Sequence, residues 1–419
     1  MAVPDVVAIP RVLLTTARVN VVIKTCRAIL IAALPLTLTS PGGTIAMALV
    51  AVIGAYLAYA TVPLAPEQRR IAFYMVPCYF IVVGIDLVNG GGIYNVESAF
   101  NYLPLIALAP FAHAVKIVRL GRGTFLAVVH VTLWCALAIS LTRLVWLQEV
   151  RPGGLHLHSI GYAYVVAVWV VVAMSLFGSS NRLLRMAQIA GIAAGCFTVL
   201  ITESKIALAA MVVGMAAVGI HWAIRHGRWR QMLVIGIALI VPLGIASSLM
   251  MAERYAQLRD EILAFIELGS SHGSSLGLRY ELAISGMRAF LDNPILGYGF
   301  AERMPQVFAH ATPGGPDITF LDYVHNDYVT HLLAFGVFGG LFLIAYYVLT
   351  WRLVSRLPDE PLRRASYALL IMLAVYMMAE VGFNMDPVTS VMTIVLGVAL
   401  SRTGRDDEAP APEQAAPPA

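Results

Sequence analysis

Apolar windows follow one another along almost the whole of this chain, each near the ~17–25 residues a helix needs to cross a bilayer. They lie at about 25–40, 43–64, 71–88, 101–117, 124–146, 161–178, 186–203, 205–224, 230–251, 327–351, 365–384 and 387–401. Such a series admits few folds. In lipid the backbone must satisfy its own hydrogen bonds, and continuous apolar runs of this length do so as helices. The expectation is an all-α polytopic membrane helix bundle of about twelve transmembrane helices. Hydrophobic residues are 59% of the chain and charged residues 12%, and the mean hydropathy is +0.79. A soluble domain carries about 25% charged residues, so this chain has too little polar surface to cover a globule in water.

One polar stretch interrupts the series. Residues 252–325 begin Ala252-Glu253-Arg254, hold Arg254, Arg259, Arg279, Arg288 and Arg303, and end at Val324-His325. The chain therefore divides into helices one to nine over 1–251, a large loop of short helices over 252–325, helices ten to twelve over 326–401, and a tail over 402–419. That tail, rich in Pro and Ala after Asp406-Asp407-Glu408, has the composition of a disordered segment. A membrane protein that enlarges one loop and keeps the rest short places its chemistry there.

Lysine and arginine in the short loops set the orientation. One alternate set holds Arg69-Arg70, Lys116/Arg119/Arg122, Arg182/Arg185, Arg225/Arg228/Arg230 and Arg352/Arg356/Arg363/Arg364. The other holds Asp86–Phe100 with no Lys or Arg, Arg143/Arg151, the turn at Lys205, the long loop, and Asn384-Met385-Asp386-Pro387. This asymmetry predicts cytoplasmic termini and a long loop on the far side. The net charge of +4 is thus a matter of topology, and no nucleic-acid partner is expected. Arg11, Arg18, Lys24 and Arg27 precede the first apolar run without a small-x-small cleavage site after it, so an uncleaved first helix is expected.

Several chemistries are disfavoured. No Walker glycine loop occurs, so no ATPase drives the chain. Asp322 and Asp327 are five apart and no Asp-x-Asp is present outside the apolar windows, which speaks against a metal-dependent transferase. Cys26, Cys78, Cys135 and Cys196 lie in apolar windows without zinc or redox spacing. Paired Gly/Pro-interrupted helices, the mark of a transporter, are absent from matching positions. Charge inside the apolar windows is scarce; the main exception is Glu380, for which a structural and a functional use fit equally.

Three polar elements converge on the less basic face. The first is Thr202-Glu203-Ser204-Lys205, between helices seven and eight. Lys205 can snorkel to the interface, pair with Glu203, or face a substrate. The second is Leu278-Arg279-Tyr280 through Arg288 to Asn293-Pro294, which predicts a helix of about four turns stopped by Asn-Pro. Arg279 and Arg288 are nine apart, about half a revolution, so only one of them can look into a given site. The run Pro294-Ile295-Leu296-Gly297-Tyr298-Gly299-Phe300 that follows is a turn whose glycines permit close backbone approach. The third is Val324-His325-Asn326-Asp327-Tyr328 at the mouth of helix ten, which continues Gly336-Val337-Phe338-Gly339-Gly340, small residues suited to close packing. Arginines with a histidine suit a reaction in which a pyrophosphate is held and leaves as an anion while a hydroxyl loses its proton.

Arg279, then Pro294-Ile295-Leu296-Gly297-Tyr298-Gly299, then His325-Asn326, stands in the order Arg…Pro-x-x-Gly-x-Gly…His-Asn. Together with the one large loop before helix ten, this pattern resembles the O-antigen ligase family, part of the group that includes O-antigen polymerases and bacterial O-oligosaccharyltransferases. The departure is Ser204-Lys205 where the family usually has Ser-Arg; lysine keeps the charge and loses the bidentate fork. The resemblance implies a glycosyltransferase of the bacterial inner membrane, its active site facing the periplasm. It would move a finished polysaccharide from undecaprenyl pyrophosphate to the sugars of lipid A–core with inversion, without cofactor or metal. His325 and Arg279 are then the candidate catalytic residues. Lys205, Arg288, Arg143, Arg151, Asn326 and Tyr328 are candidates for holding pyrophosphate or glycan, with membrane lipids as further partners. The alternatives are an O-antigen polymerase or a protein O-oligosaccharyltransferase, and, from another class, a polysaccharide flippase.

Overall fold

The computed structural model describes residues 16–90, 99–178, 181–230, 241, 244–245, 247–249, 252–268 and 274–403. The fold is all-α: among these residues extended pairing is confined to the isolated bridges Thr39–Leu155 and Gly154–Leu157. In order the helices are α1 (Thr16–Leu36), α2 (Gly42–Ala60), α3 (Pro66–Asn89), α4 (Leu103–Val118), α5 (Arg122–Val145), α6 (Ser159–Ser175), α7 (Arg182–Ile201) and α8 (Lys205–His226). After these come α9 (Ala252–Leu268), α10 (Ser275–Asp292), α11 (Gly299–Ala309), α12 (Asp327–Val354), α13 (Glu360–Met377) and α14 (Asp386–Leu400). Eight described helices, α1 to α5, α7, α8 and α12, are long and apolar enough to cross a membrane. The chain is a multi-pass membrane protein. Most of the expected span 230–251 falls outside the described residues, as does most of the tail.

Burial separates the bundle's centre from its rim. α6 and α14 are apolar all round and buried along nearly their whole length, as helices enclosed by other helices must be. Around them α1, α3, α5 and α7 each bury one face and expose large apolar side chains on the other, Phe73, Phe80, Trp134 and Leu183 among them. In water such a surface would aggregate; in a membrane protein it is the lipid face.

Contacts between loops sort them into two ends. At one, Ser40 N–H donates to Leu155 O at 3.2 Å, Ser40 Oγ donates to the Asp386 carboxylate at 3.1 Å, and Asn101 donates to Asn384 at 2.7 Å. Arg151 Nε reaches Thr202 O at 3.3 Å in the same layer. At the other end Lys116 donates to Thr403 O at 3.2 Å, Arg364 to Ser175 O at 2.6 Å and Arg402 to Leu120 O at 2.5 Å. These two groups are the two alternate loop sets distinguished by Lys and Arg, so the charge asymmetry of the sequence is an asymmetry between two physical ends.

Two elements differ from the sequence reading. The window 365–384 is not helical to its end: α13 stops at Met377, and Glu380 lies in the connection to α14. The helix yields there because Gly382 and Phe383 give their backbone N–H groups to Asp327 of α12 instead of to a preceding turn. α12, in turn, is broken at Gly336, whose φ of 59° and ψ of −147° no helical residue adopts. The glycine turn after α10 fills the break: Val337 N–H donates to Pro294 O at 2.7 Å and Tyr298 N–H donates to Leu333 O at 3.0 Å. A Cβ on Gly336 would collide with the carbonyl of Ile295, and one on Gly297 would come within 2.5 Å of Leu333 O. The turn's glycines thus let one backbone approach another, with the main chain of α12 as the partner. Asn89 donating to Leu296 O at 3.1 Å and Phe300 N–H donating to Asp86 at 2.8 Å fasten the same turn to α3.

Candidate active site at the head of α12

α10 begins with Ser274, whose hydroxyl accepts from Gly277 N–H at 3.0 Å, and ends at Asn293. Glu281, Ser285 and Arg288 recur at i, i+4 and i+7 on one face; Glu281 and Arg288 hold the loop that follows α11, and Ser285 supports Glu281. Glu281 accepts from Thr312 N–H at 2.6 Å and from Ser285 Oγ at 2.9 Å, while Arg288 donates to Thr312 Oγ1 at 2.9 Å. Burial opposes charge on Glu281, but these hydrogen bonds together outweigh it and hold the carboxyl below its usual range. Arg279, half a revolution from Arg288, faces the bundle. Its Nη2 donates to Glu380 Oε1 at 3.2 Å while 35% of its side chain stays exposed.

That same oxygen meets the histidine. His325 Nδ1 lies 3.1 Å from Glu380 Oε1, and Glu380 is fully buried with its second oxygen, Oε2, lacking a hydrogen-bond partner among the described residues. A carboxylate beside an arginine accepts, so Nδ1 carries the ring proton and Nε2 keeps its lone pair for another group. Tyr323 packs against the imidazole with ring centroids 4.3 Å apart and the ring planes tilted by 47°. Burial, reinforced by the charge of Glu380, pushes its hydroxyl up to about 12, so it stays protonated. His325 has a φ of 53°, a left-handed conformation that costs a side-chain-bearing residue about 1–2 kcal/mol. Such strain persists only where neighbours hold it, and it gathers at working sites.

The remaining residues singled out in the sequence are distributed around this centre. Asn326 caps α12, accepting from Val329 N–H at 3.1 Å, and donates to Met378 O at 3.2 Å. Tyr328 donates to Ala374 O at 3.0 Å. Both therefore fasten α12 to the end of α13. Lys205 opens α8, half-buried behind a turn in which Glu203 takes a φ of 51°. Arg151 lies on that turn through Thr202. Arg143 forms a two-point pair with Glu149, at 2.8 and 2.7 Å, within its own loop. Arg279 and His325 are thus joined through one oxygen of Glu380, Lys205 and Arg151 share one turn at the same end, and Arg143 and Arg288 are engaged elsewhere.

Two members of the centre escape motif reading. Glu380 is 55 residues beyond His325, and its only signal is a carboxylate in an otherwise apolar window. Tyr323 carries only a weak one, an aromatic two residues before the histidine in a non-helical stretch.

A family model described as O-antigen ligase matches residues 190–344. The match takes in Lys205, α10 with Arg279, the Pro294–Gly299 turn, His325 and the break in α12, and it stops short of Glu380. No curated protein matches the chain. Residues 190–344 are thus similar to the O-antigen ligase family, and the chain that contains them is an all-α, multi-pass membrane protein.

Proposed function

We propose that this chain is a glycosyltransferase that moves O-antigen polysaccharide from undecaprenyl pyrophosphate to lipid A–core at the periplasmic face of the bacterial inner membrane. The observation that carries the reading is the single Glu380 oxygen that receives both Arg279 and His325, at the end of the bundle with few cations in its short loops. His325 Nε2 takes the proton of the acceptor hydroxyl. The acceptor oxygen then attacks the anomeric carbon opposite the pyrophosphate, the C1–O bond to pyrophosphate breaks, and the configuration inverts. Glu380 orients the imidazole and stabilises the imidazolium that forms, as a carboxylate behind a histidine does in other hydroxyl activations. A positioned base of this kind contributes about 10²–10⁴ in rate. The exposed part of the Arg279 guanidinium, with Lys205 and Arg151, meets the charge that develops on the departing pyrophosphate. The energy resides in the sugar–pyrophosphate bond, so no nucleotide enters.

The test is reconstitution from purified parts. Lipid-linked glycan and lipid A–core, with the protein in lipid and with ATP and divalent metal omitted, should yield joined product. Product only with a protein acceptor, elongation of the lipid-linked glycan itself, or movement across the bilayer without bond formation would each replace this reading with another.

A further inference from the structure

Glu380 belongs to no helix, yet its carboxylate has a fixed place, because the segment around it is fastened on both sides to the head of α12. Before it, Asn326 Nδ2 donates to Met378 O. After it, the N–H groups of Gly382 and Phe383 both donate to Asp327 Oδ2, at 2.8 and 2.7 Å. Asp327 is itself fully buried, and its neighbour one turn on, His331, lies beneath it. His331 Nδ1 is 2.7 Å from Asp327 O and 3.2 Å from Asp327 Oδ1, and its Nε2 is 2.7 Å from the hydroxyl of Tyr102. Facing two oxygens, Nδ1 carries the proton of the neutral ring, so Nε2 accepts from Tyr102. His331 is 0% and Tyr102 1% exposed. Phe342 stacks on the imidazole, and Phe335 and Phe383 close around it. Water cannot replace a lost partner in such a box, so each bond in the chain depends on the next.

We propose that Tyr102, His331 and Asp327 are positioning residues, a buried relay from α4 through α12 that holds Glu380 against His325 and so sets the rate of transfer. The proposal rests on the catalytic reading of His325 and Glu380. At 0–1% exposure the three are shielded from substrate; they act by holding the 378–383 segment. A displacement of about 1 Å at a reacting group costs on the order of a hundredfold in rate, and Asp327 is the link whose loss frees that segment.

The experiment compares Asp327→Ala, Asp327→Asn, Tyr102→Phe and His325→Ala in the reconstituted transfer assay, with turnover expressed per folded molecule and folded fraction taken from thermal melts. Asp327→Ala should lower kcat on the order of a hundredfold and leave KM for the lipid-linked donor unchanged. Asp327→Asn keeps an oxygen for Gly382 and Phe383 and should restore most of that loss. Tyr102→Phe removes one oxygen from a packed core and should lower kcat by a smaller factor; where Asp327→Ala does not fold, this variant carries the test. Wild-type kcat per folded molecule in both Asp327→Ala and Tyr102→Phe would overturn the relay, as would a rise in KM with kcat intact. Activity retained by His325→Ala would sink the catalytic reading instead, whatever the relay variants do.

Discussion

At the end of the bundle where α2, α4, α6, α8 and α12 finish, charge is abundant and exposed: Arg69, Arg70, Arg119, Arg122, Arg182, Arg225, Arg228 and Arg230 all lie open at the surface. At the opposite end the decisive charges are fewer and buried. Glu380 and Asp327 are 0% exposed and Asp86 1%, and each accepts hydrogen bonds from named groups on other elements. Exposed charges are screened and individually worth little, so the first end acts by its sum, as an orientation signal. A buried charge without partners is very costly, so each carboxylate at the second end must be met by particular donors, which fixes the loops around it. The contrast teaches where substitution should matter: hardly at all, one residue at a time, among the exposed arginines of the basic end, and sharply at the buried carboxylates of the other.

The largest effect that can break this comparison is all-or-none. A cysteine at exposed Asp322 should react with a membrane-impermeant reagent added to the outside of the inner membrane, and one at Arg228 should not. The native cysteines give little background, since all four lie within α1, α3, α5 and α7. The reverse labelling would invert the bundle and remove the periplasmic site.

Next in size is His325. Replacement by Ala should lower transfer by about 10²–10⁴ with the protein still folded in the membrane. Gln in its place keeps a hydrogen-bonding group beside Glu380 but cannot take a proton. Near-normal turnover by His325→Gln would shift the chemistry from proton transfer to electrostatic stabilisation by Arg279. The two arginines of α10 sharpen the point one step down. Arg279→Ala loses a charge-assisted contact worth about 1.5–3 kcal/mol and should cost on the order of ten- to hundredfold in rate. Arg288→Ala removes only a brace to Thr312 and should show itself as a less stable loop. Equal kinetic losses in the two would contradict the half-turn separation of their roles.

A smaller and purely structural effect is expected at the break in α12. Gly336→Ala places a Cβ at a φ of 59° against the Ile295 carbonyl, a strain of about 1–3 kcal/mol, and should expose the loop after α10 to protease. Gly340→Ala is the control, because its Cβ meets only the end of the Leu332 side chain.

How much of this was legible beforehand depended on range. The described helices announced themselves, since each apolar window carries its own evidence, and the split between Arg279 and Arg288 followed from helical pitch alone. His325 and Arg279 stood out as polar groups in a loop between spans. The window 365–384 misled, because hydropathy cannot see Asp327 capturing the N–H groups of Gly382 and Phe383. The break at Gly336 was hidden for the same reason: the carbonyl of Pro294 that replaces the lost helical bond comes from 43 residues away in sequence (337 minus 294). Glu380 looked like an isolated charge in a span, and only the fold shows that its partners are the two residues the motif had already marked.

The smallest effect comes from a more exposed histidine–carboxylate pair, which makes the same contrast on a smaller scale. His310 Nε2 lies 2.8 Å from Asp292 Oδ2, closer than His325 to Glu380, but Asp292 is 66% exposed where Glu380 is buried. The hydrogen bond to Asp292, with a further one to Gln306 O, raises the pKa of His310 above its ordinary value. A raised value in the folded state means that the pair contributes its full stability below about pH 6.5, the unfolded value, and loses it as pH climbs through the folded one. Given the exposure, that contribution is about 0.2–1 kcal/mol. Hydrogen exchange of α10 and α11 should therefore quicken modestly between about pH 6 and about pH 8, once intrinsic exchange is corrected for, and the change should vanish in Asp292→Asn. Glu281, held below its usual range, stays ionised throughout that window and adds nothing to the slope. A pH dependence that survives Asp292→Asn would assign the effect to some other group and leave the shorter of the two pairs with no measurable role.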